Sequence, residues 1–116
     1  MEKREEKLII AVLQADDYEG TISSLNKAGF FVTVLSSIGG FLRKRSMTIM
    51  VGVEENCVEE VLRILQERAG KRTEIMYQNV GLGHEHGVFS EPVASMTKVL
   101  GGTTVFVLSI EAFHKF

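Results

Sequence analysis

The chain has 116 residues, of which 45% are hydrophobic and 24% charged, and its net charge is −2. This length predicts one domain over residues 1–116, with residues 1–6 as a disordered N-terminal extension. The composition excludes disordered and fibrous classes, and a slightly acidic chain is atypical of proteins that bind DNA or RNA through a broad basic face. No apolar stretch approaches the roughly 20 residues that span a bilayer, so we expect a cytoplasmic protein without membrane insertion.

The first part of the chain predicts a strand, a helix and a second strand. Residues 8–13 ("LIIAVL") are a short apolar run rich in β-branched residues, and apolar residues then recur at helical spacing. Residues 30–35 ("FFVTVL") indicate the second strand. The same order repeats with a strand at 48–53, a helix within 54–70 and a strand at 72–78.

Both predicted helices have recognisable end signals. Asn56 and Glu59 have the spacing of a capping box, in which each side chain bonds a free backbone N–H of the first turn. Gly29 and Gly70 each follow an alanine at the end of a helical pattern, where a residue with left-handed backbone is expected.

Two βαβ units predict an α+β fold, the ferredoxin-like split βαβ sandwich (βαββαβ), with both helices on one face of an antiparallel sheet. Residues 94–100 and 103–110 predict additional strands after it, so the sandwich gains a C-terminal strand. Because two helices cover only one sheet face, we expect the other face to be buried in a homo-oligomer.

Two segments lack a regular period. Residues 38–47 contain two consecutive glycines (39–40), an apolar pair (41–42) and three consecutive cations (43–45). Residues 79–93 contain three glycines and the only proline of the sequence. Long irregular segments in small domains are usually functional or mobile. On residue types alone, the simpler interpretation of 39–45 is a hairpin loop with solvated cations.

Four segments resemble the PII-like cyclic-di-AMP receptors of bacteria: "KLIIAVLQ", "AGFFVTVLSSIGGFLR", "MVGVEEN" and "LGGTTVFVLSIEAFHKF". The resemblance runs in order over residues 7–116, and "GGFL" together with "GGTTVFV" is specific to the family. It implies a PII-like homotrimer that has no enzymatic activity and no cofactor, and binds cyclic-di-AMP in clefts between subunits. It also implies that the ligand orders the loops 38–47 and 79–93, which a protein target of unknown identity then reads.

The resemblance further implies the ligand contacts Thr33, Gly39, Gly40, Phe41, Leu42, Arg43, Ser46, Gly52 and Phe106. A cyclic dinucleotide has two phosphate charges and two flat bases, so its site needs exposed backbone N–H groups, a cation and apolar or aromatic walls. Glycines permit close backbone approach, Arg43 can supply charge, and Phe41 can line a base slot. For Thr33 and Phe106, an ordinary strand residue and a core aromatic are equally good interpretations.

Other functions stay open at this point. Phe31 and Ser46 stand where members of the family often carry arginine and asparagine, which favours a second hypothesis, an adenine mononucleotide such as ATP, ADP or AMP as ligand. A trimeric scaffold that binds only protein through its basic loop is a third. His84 and His86 could bind a metal, but two ligands are too few and a solvated loop is the simpler interpretation. The acidic pair 16–17 is explained by the dipole of the helix that begins there, without a catalytic role.

Overall fold

The computed structural model describes residues 5–35, 46–78 and 94–116. The elements in chain order are β1 (Lys7–Gln14), α1 (Ala15–Lys27), β2 (Val32–Leu35), β3 (Ser46–Val53), a 3₁₀ turn (Glu55–Cys57), α2 (Val58–Ala69), β4 (Arg72–Gln78), β5 (Ala94–Leu100) and β6 (Thr103–Ser109). This order confirms the predicted α+β class and the predicted succession of elements, strand, helix and strand twice and then two further strands.

The strands form two antiparallel sheets. The larger has the order β2-β3-β1-β6, and β4 and β5 pair with each other in a separate two-stranded sheet. Within the larger sheet, Ile10 of β1 pairs with Met50 of β3 on one side and with Phe106 of β6 on the other. The last strand of the chain therefore completes the sheet beside the first, and β4 leaves it to pair with β5.

Both helices pack on one face of the larger sheet, and the core lies between them. The core is one cluster of buried residues from alternate positions of β1 and β3 and from the inner sides of the helices: Ile9, Ala11, Leu13, Leu25, Ile49, Val51, Val53, Val61, Ile64, Leu65 and Ala69. Full burial of an aliphatic side chain contributes about 1.5 to 3 kcal/mol. The opposite sheet face carries the other set of alternating side chains.

The two helix-ending glycines differ. Gly29 has a φ of 94° after the end of α1, as predicted. The prediction is wrong for Gly70, whose φ is −73°. Glycine is required there for another reason, since a Cβ atom would collide with the carbonyl oxygen of Gln66. The end of α2 is fixed instead by Gly102, whose N–H donates to the carbonyl of Ala69 at 2.8 Å.

The predicted capping box at the start of α2 is wrong. Neither the 3₁₀ turn nor α2 has a side-chain hydrogen bond at its N-cap. The turn takes up one free donor, because the N–H of Cys57 donates to the carbonyl of Glu54 at 2.9 Å. A second donor, the N–H of Glu55, faces the carboxylate of Glu6 at 3.4 Å.

The sheet extends one residue before β1. The N–H of Glu6 donates to the carbonyl of Val53 at 3.0 Å, and the N–H of Ile110 donates to the carbonyl of Glu6 at 2.9 Å. The predicted N-terminal extension thus includes a residue that is bonded on both sides, whereas residues 1–4 lie outside the described ranges. The second strand is two residues shorter than predicted, because the N–H of Phe30 donates to Leu25 at the end of α1.

Candidate functional site

The structure places four of the predicted ligand contacts on the sheet face opposite the helices. They are Thr33, Ser46, Gly52 and Phe106. Thr33 pairs with Met50, Met50 with Ile10, and Ile10 with Phe106, so these side chains form one row across the sheet. Ser46 and Gly52 lie at even spacing from Met50 along β3 and therefore share its face.

These four residues are not all within reach of one another in a single chain. Thr33 and Gly52 lie on adjacent strands, about 8 Å apart from strand spacing and residue rise. Thr33 and Phe106 lie on opposite edge strands, about 14 Å apart. Ser46 and Gly52 are separated by about 20 Å along β3. One chain thus brings Thr33 and Gly52 together and leaves Phe106 and Ser46 apart.

The face that carries these residues is apolar, and no other described segment of the chain covers it. Its outer positions include Phe106, Leu108 and Leu35, whose side chains are 52%, 45% and 40% exposed. Phe106 is therefore not a core aromatic within one chain. A contiguous apolar face of this kind marks an interaction surface.

Gly52 lies at the rim of a cleft of about 310 Å³. The walls include Phe30, Phe31, Cys57 and Phe113, and the charged groups among the described lining residues are Glu5, Glu54 and Lys115. The pairing of β2 with β3 ends at Val51, one residue before Gly52, so the cleft opens where β2 no longer covers the edge of β3. Phe31, just before β2, is 88% exposed on this rim.

The Glu5 carboxylate lies directly over Gly52. One of its oxygens is 2.8 Å from the place that a Cβ atom at Gly52 would occupy, and the other is 3.1 Å from it. The absence of a side chain at Gly52 is what makes room for this carboxylate. The sequence offered no signal for this contact, which joins a residue shortly before β1 to a residue near the end of β3.

The predicted contacts Gly39, Gly40, Phe41, Leu42 and Arg43 lie outside the described residues, as do Lys44, Arg45 and the whole segment 79–93. The five predicted contacts from Gly39 to Arg43 lie in the segment 36–45, which joins Leu35 at the end of β2 to Ser46 at the start of β3. Because β2 and β3 are neighbours, both attachment points are at the same end of the four-stranded sheet.

A pair of charged residues that sequence reasoning missed joins α1 to β4. Two nitrogens of the Arg72 guanidinium donate to the two oxygens of Asp17, at 2.8 and 3.3 Å. The Asp17 side chain is only 8% exposed. The same guanidinium donates to the carbonyl of Gly70 at 3.2 Å. The helix dipole is thus an incomplete account of Asp17, whose carboxylate also binds the first residue of β4.

This pair also stabilises the charged form of Arg72. The hydrogen bonds that Arg72 donates to the Asp17 carboxylate raise the pKa of Arg72 above its ordinary value, and the negative charges of Asp17 and Glu74 act in the same direction. The guanidinium therefore stays protonated over the whole range in which proteins are handled.

Within the described residues, no group of three or more His, Cys, Asp or Glu side chains is placed to hold a metal ion. His84 and His86 lie outside those residues. Among the helices that the structure describes, none has the length and hydropathy needed to span a membrane.

The architecture is that of PII-like proteins. A functionally unknown protein from Pediococcus pentosaceus is 30% identical, with a TM-score of 0.73 over 97% of this chain and 98% of its own. CPII from Thiomonas intermedia, solved with ADP, AMP and acetate, is 15% identical with a TM-score of 0.59 over 98% of this chain and 94% of its own. The same PII-like protein with ADP, AMP and bicarbonate is 16% identical, with a TM-score of 0.52 over 99% and 100%. The two CPII structures establish the fold alone.

The family follows from the sequence. The model of the cyclic-di-AMP receptor family matches residues 6–116, and the chain belongs to that family. This confirms the resemblance on which the predicted site depends. A receptor for a cyclic dinucleotide is a nucleotide-binding signalling protein, the class that the sequence predicted.

Proposed function

We propose that this protein is a cytoplasmic, non-enzymatic signalling protein that binds cyclic-di-AMP in clefts between the subunits of a homotrimer and relays binding to a protein target. The observation that carries the proposal is the match to the receptor family over residues 6–116. The placement of Thr33, Ser46, Gly52 and Phe106 on one uncovered sheet face supports it.

The distances across that face favour a site shared between subunits. Thr33 and Phe106 lie at opposite edges of one sheet, about 14 Å apart, so one base cannot touch both in the same chain. When sheets of neighbouring subunits meet, the β6 edge of one can approach the β2 edge of the next. Thr33 and Gly52 from one subunit and Phe106 from another then contribute to one cleft.

The uncovered apolar surfaces supply the driving force for this assembly. The exposed sheet face is one such surface. The two-stranded sheet of β4 and β5 is another, because its side chains Ile75, Met96 and Val99 are all exposed. An isolated two-stranded sheet is marginally stable in water. Burial against neighbouring subunits stabilises it at about 25 cal/mol for each Å² of apolar area removed from water.

The chemistry of the first loop suits the ligand. Gly39 and Gly40 allow backbone N–H groups to approach a phosphate, Arg43 provides a positive charge, and Phe41 and Leu42 provide apolar contact for a purine. Binding shifts the loop populations only if the ligand prefers one arrangement, so the same contacts that bind the ligand carry the signal.

The direct test of the ligand is a thermal-shift panel with cyclic-di-AMP, cyclic-di-GMP, ATP, ADP and AMP. A ligand present at a hundred times its dissociation constant stabilises the fold by about 2.7 kcal/mol, a shift of several degrees. We expect the largest shift with cyclic-di-AMP and its loss in Arg43→Ala. Arg63→Ala is the matched control, because Arg63 lies on α2 and pairs with Glu67. An equal response of both variants contradicts the role of Arg43.

A second candidate ligand is an adenine mononucleotide. Phe31 at the rim of the cleft can stack on a base, but it offers no charge to a second phosphate. Competition of AMP, ADP and ATP against labelled cyclic-di-AMP separates the two ligands. If no nucleotide shifts the melting temperature, a scaffold that binds only protein is the better account of the basic loop.

A further inference from the structure

We propose that Glu5 limits the affinity of the nucleotide site and makes it discriminate against highly charged nucleotides, because its carboxylate occupies the surface of Gly52 that a ligand must reach. This inference rests on the proposed function. Glu5 lies immediately before the part of the chain that matches the receptor family, which begins at residue 6. The contact is therefore made by a residue outside the matched segment.

The steric part of the argument comes from Gly52. Gly52 lines the cleft, and the two Glu5 oxygens lie 2.8 and 3.1 Å from the position that a Cβ atom of Gly52 would take. An atom that packs on the α-carbon of Gly52 from this side needs the same space. A ligand that uses the bare backbone of Gly52 must first displace the carboxylate.

The electrostatic part comes from the charges around the same cleft. Among the described residues, Glu5 and Glu54 line it together with one cation, Lys115. The described part of this cleft therefore has a negative balance. A carboxylate over Gly52 repels a ligand in proportion to the charge that the ligand carries. ATP has about twice the charge of cyclic-di-AMP near neutral pH, so Glu5 weakens ATP binding more.

The backbone that carries Glu5 is well held. The neighbouring Glu6 is bonded to Val53 and to Ile110, on the two strands that flank β1. Next to Gly52, the Glu5 side chain can therefore move aside while the backbone beside it stays bonded. A change of that side chain should leave the fold intact.

The test compares Glu5→Ala and Glu5→Gln with Glu6→Gln by isothermal titration with cyclic-di-AMP and with ATP. Glu5→Gln removes the charge at nearly constant shape, and Glu5→Ala also frees the space. Glu6→Gln makes the same change in net charge one residue away, where the carboxylate faces Glu55 instead of Gly52. All four proteins should share one melting temperature without ligand.

We expect both Glu5 variants to bind cyclic-di-AMP at least about threefold more tightly than wild type, with a larger gain for ATP and no gain in Glu6→Gln. In about 1 M salt, where the Debye length is about 3 Å, the advantage of Glu5→Gln should shrink, whereas Glu5→Ala should keep the part of its advantage that comes from the freed space. Unchanged or weaker cyclic-di-AMP binding in the Glu5 variants overturns the proposal and leaves the proposed function standing. An ATP gain no larger than the cyclic-di-AMP gain, or ATP binding that is undetectable in every variant, overturns the discrimination. Failure of wild type and all variants to bind either nucleotide overturns both.

Discussion

Replacing Arg72 by glutamine is expected to lower the free energy of unfolding by about 2 kcal/mol. The substitution removes a two-pronged ion pair to Asp17, whose oxygens accept at 2.8 and 3.3 Å. Loss of one partner from a fully buried ion pair costs about 3 to 5 kcal/mol. The Asp17 side chain is 8% exposed but that of Arg72 is 40% exposed, so water can partly replace the guanidinium. The cost is therefore reduced to about 1.5 to 3 kcal/mol.

The assay is thermal or urea unfolding at one fixed subunit concentration, since the stability of an oligomer depends on concentration. For a domain of this size, 2 kcal/mol corresponds to a fall of about 10 °C in melting temperature. The matched control is Arg63→Gln, which breaks an exposed pair with Glu67 at 3.1 Å on the surface of α2. Such a pair contributes no more than about 0.5 kcal/mol.

The reasoning is refuted if Arg72→Gln is no more destabilising than Arg63→Gln. A double-mutant cycle with Asp17→Asn isolates the pair, and we expect a coupling energy of about 1 kcal/mol or more. The difference in free energy of unfolding between wild type and Arg72→Gln should also be constant from about pH 6 to 9. Because folding raises the pKa of Arg72, the contribution of Arg72 to stability is fully present below the ordinary pKa of arginine. It is lost only when the pH rises through the pKa that Arg72 has in the folded state.

Three further predictions concern the helix end, the core and the exposed sheet face. Gly70→Ala should lower the free energy of unfolding in urea by about 2 kcal/mol or more, because a Cβ atom at Gly70 collides with backbone. Gly29→Ala should cost less, because Gly29 has open space around it and only the strain of its φ of 94° opposes a side chain. The reverse order would refute the steric argument. Leu65→Ala, at a position 1% exposed, should cost about 2 to 5 kcal/mol in the same assay, and a loss below about 1 kcal/mol would contradict its place in the core. Phe106→Ala should yield smaller species on dilution in light-scattering chromatography, and a mass distribution like that of wild type would count against burial of that face between subunits.

The sequence was a good guide wherever local pattern decides structure. β1 and β3 alternate buried and half-buried residues, and the predicted runs at 8–13 and 48–53 lie within their observed bounds. Gly29 ends α1 with the left-handed backbone that its position indicated. Both are short-range effects, in which the identity of a few neighbours determines the backbone.

Features that join distant segments were not predictable in the same way. Lys7 of β1 pairs with Ser109 of β6, which lies about a hundred positions later in the chain, and this pairing places β6 at the edge of the sheet. No local sequence pattern specifies it. The pair between Asp17 and Arg72 was missed for the same reason, because the dipole of α1 already explained an acidic residue in its first turn. Gly70 had the right residue type for a left-handed position but is required by close contact with Gln66.

The candidate site shows the same division. The resemblance to the receptor family named Thr33, Ser46, Gly52 and Phe106, and strand register then placed them on one face. The contact of Glu5 with Gly52 could not be predicted, since it depends on where the residue before Glu6 sits relative to the end of β3. The ligand assignments of these residues stay predictions until binding is measured.

The most direct test of the central claim is an isothermal titration of the purified protein with cyclic-di-AMP, with its oligomeric state measured on the same sample. The proposed site between subunits predicts saturable binding of one ligand per subunit to a trimer, with weaker binding in Arg43→Ala and unchanged binding in Arg63→Ala. Absence of any binding to a correctly folded trimer, or binding that is equally strong in a monomer, would contradict a cyclic-di-AMP site built between subunits.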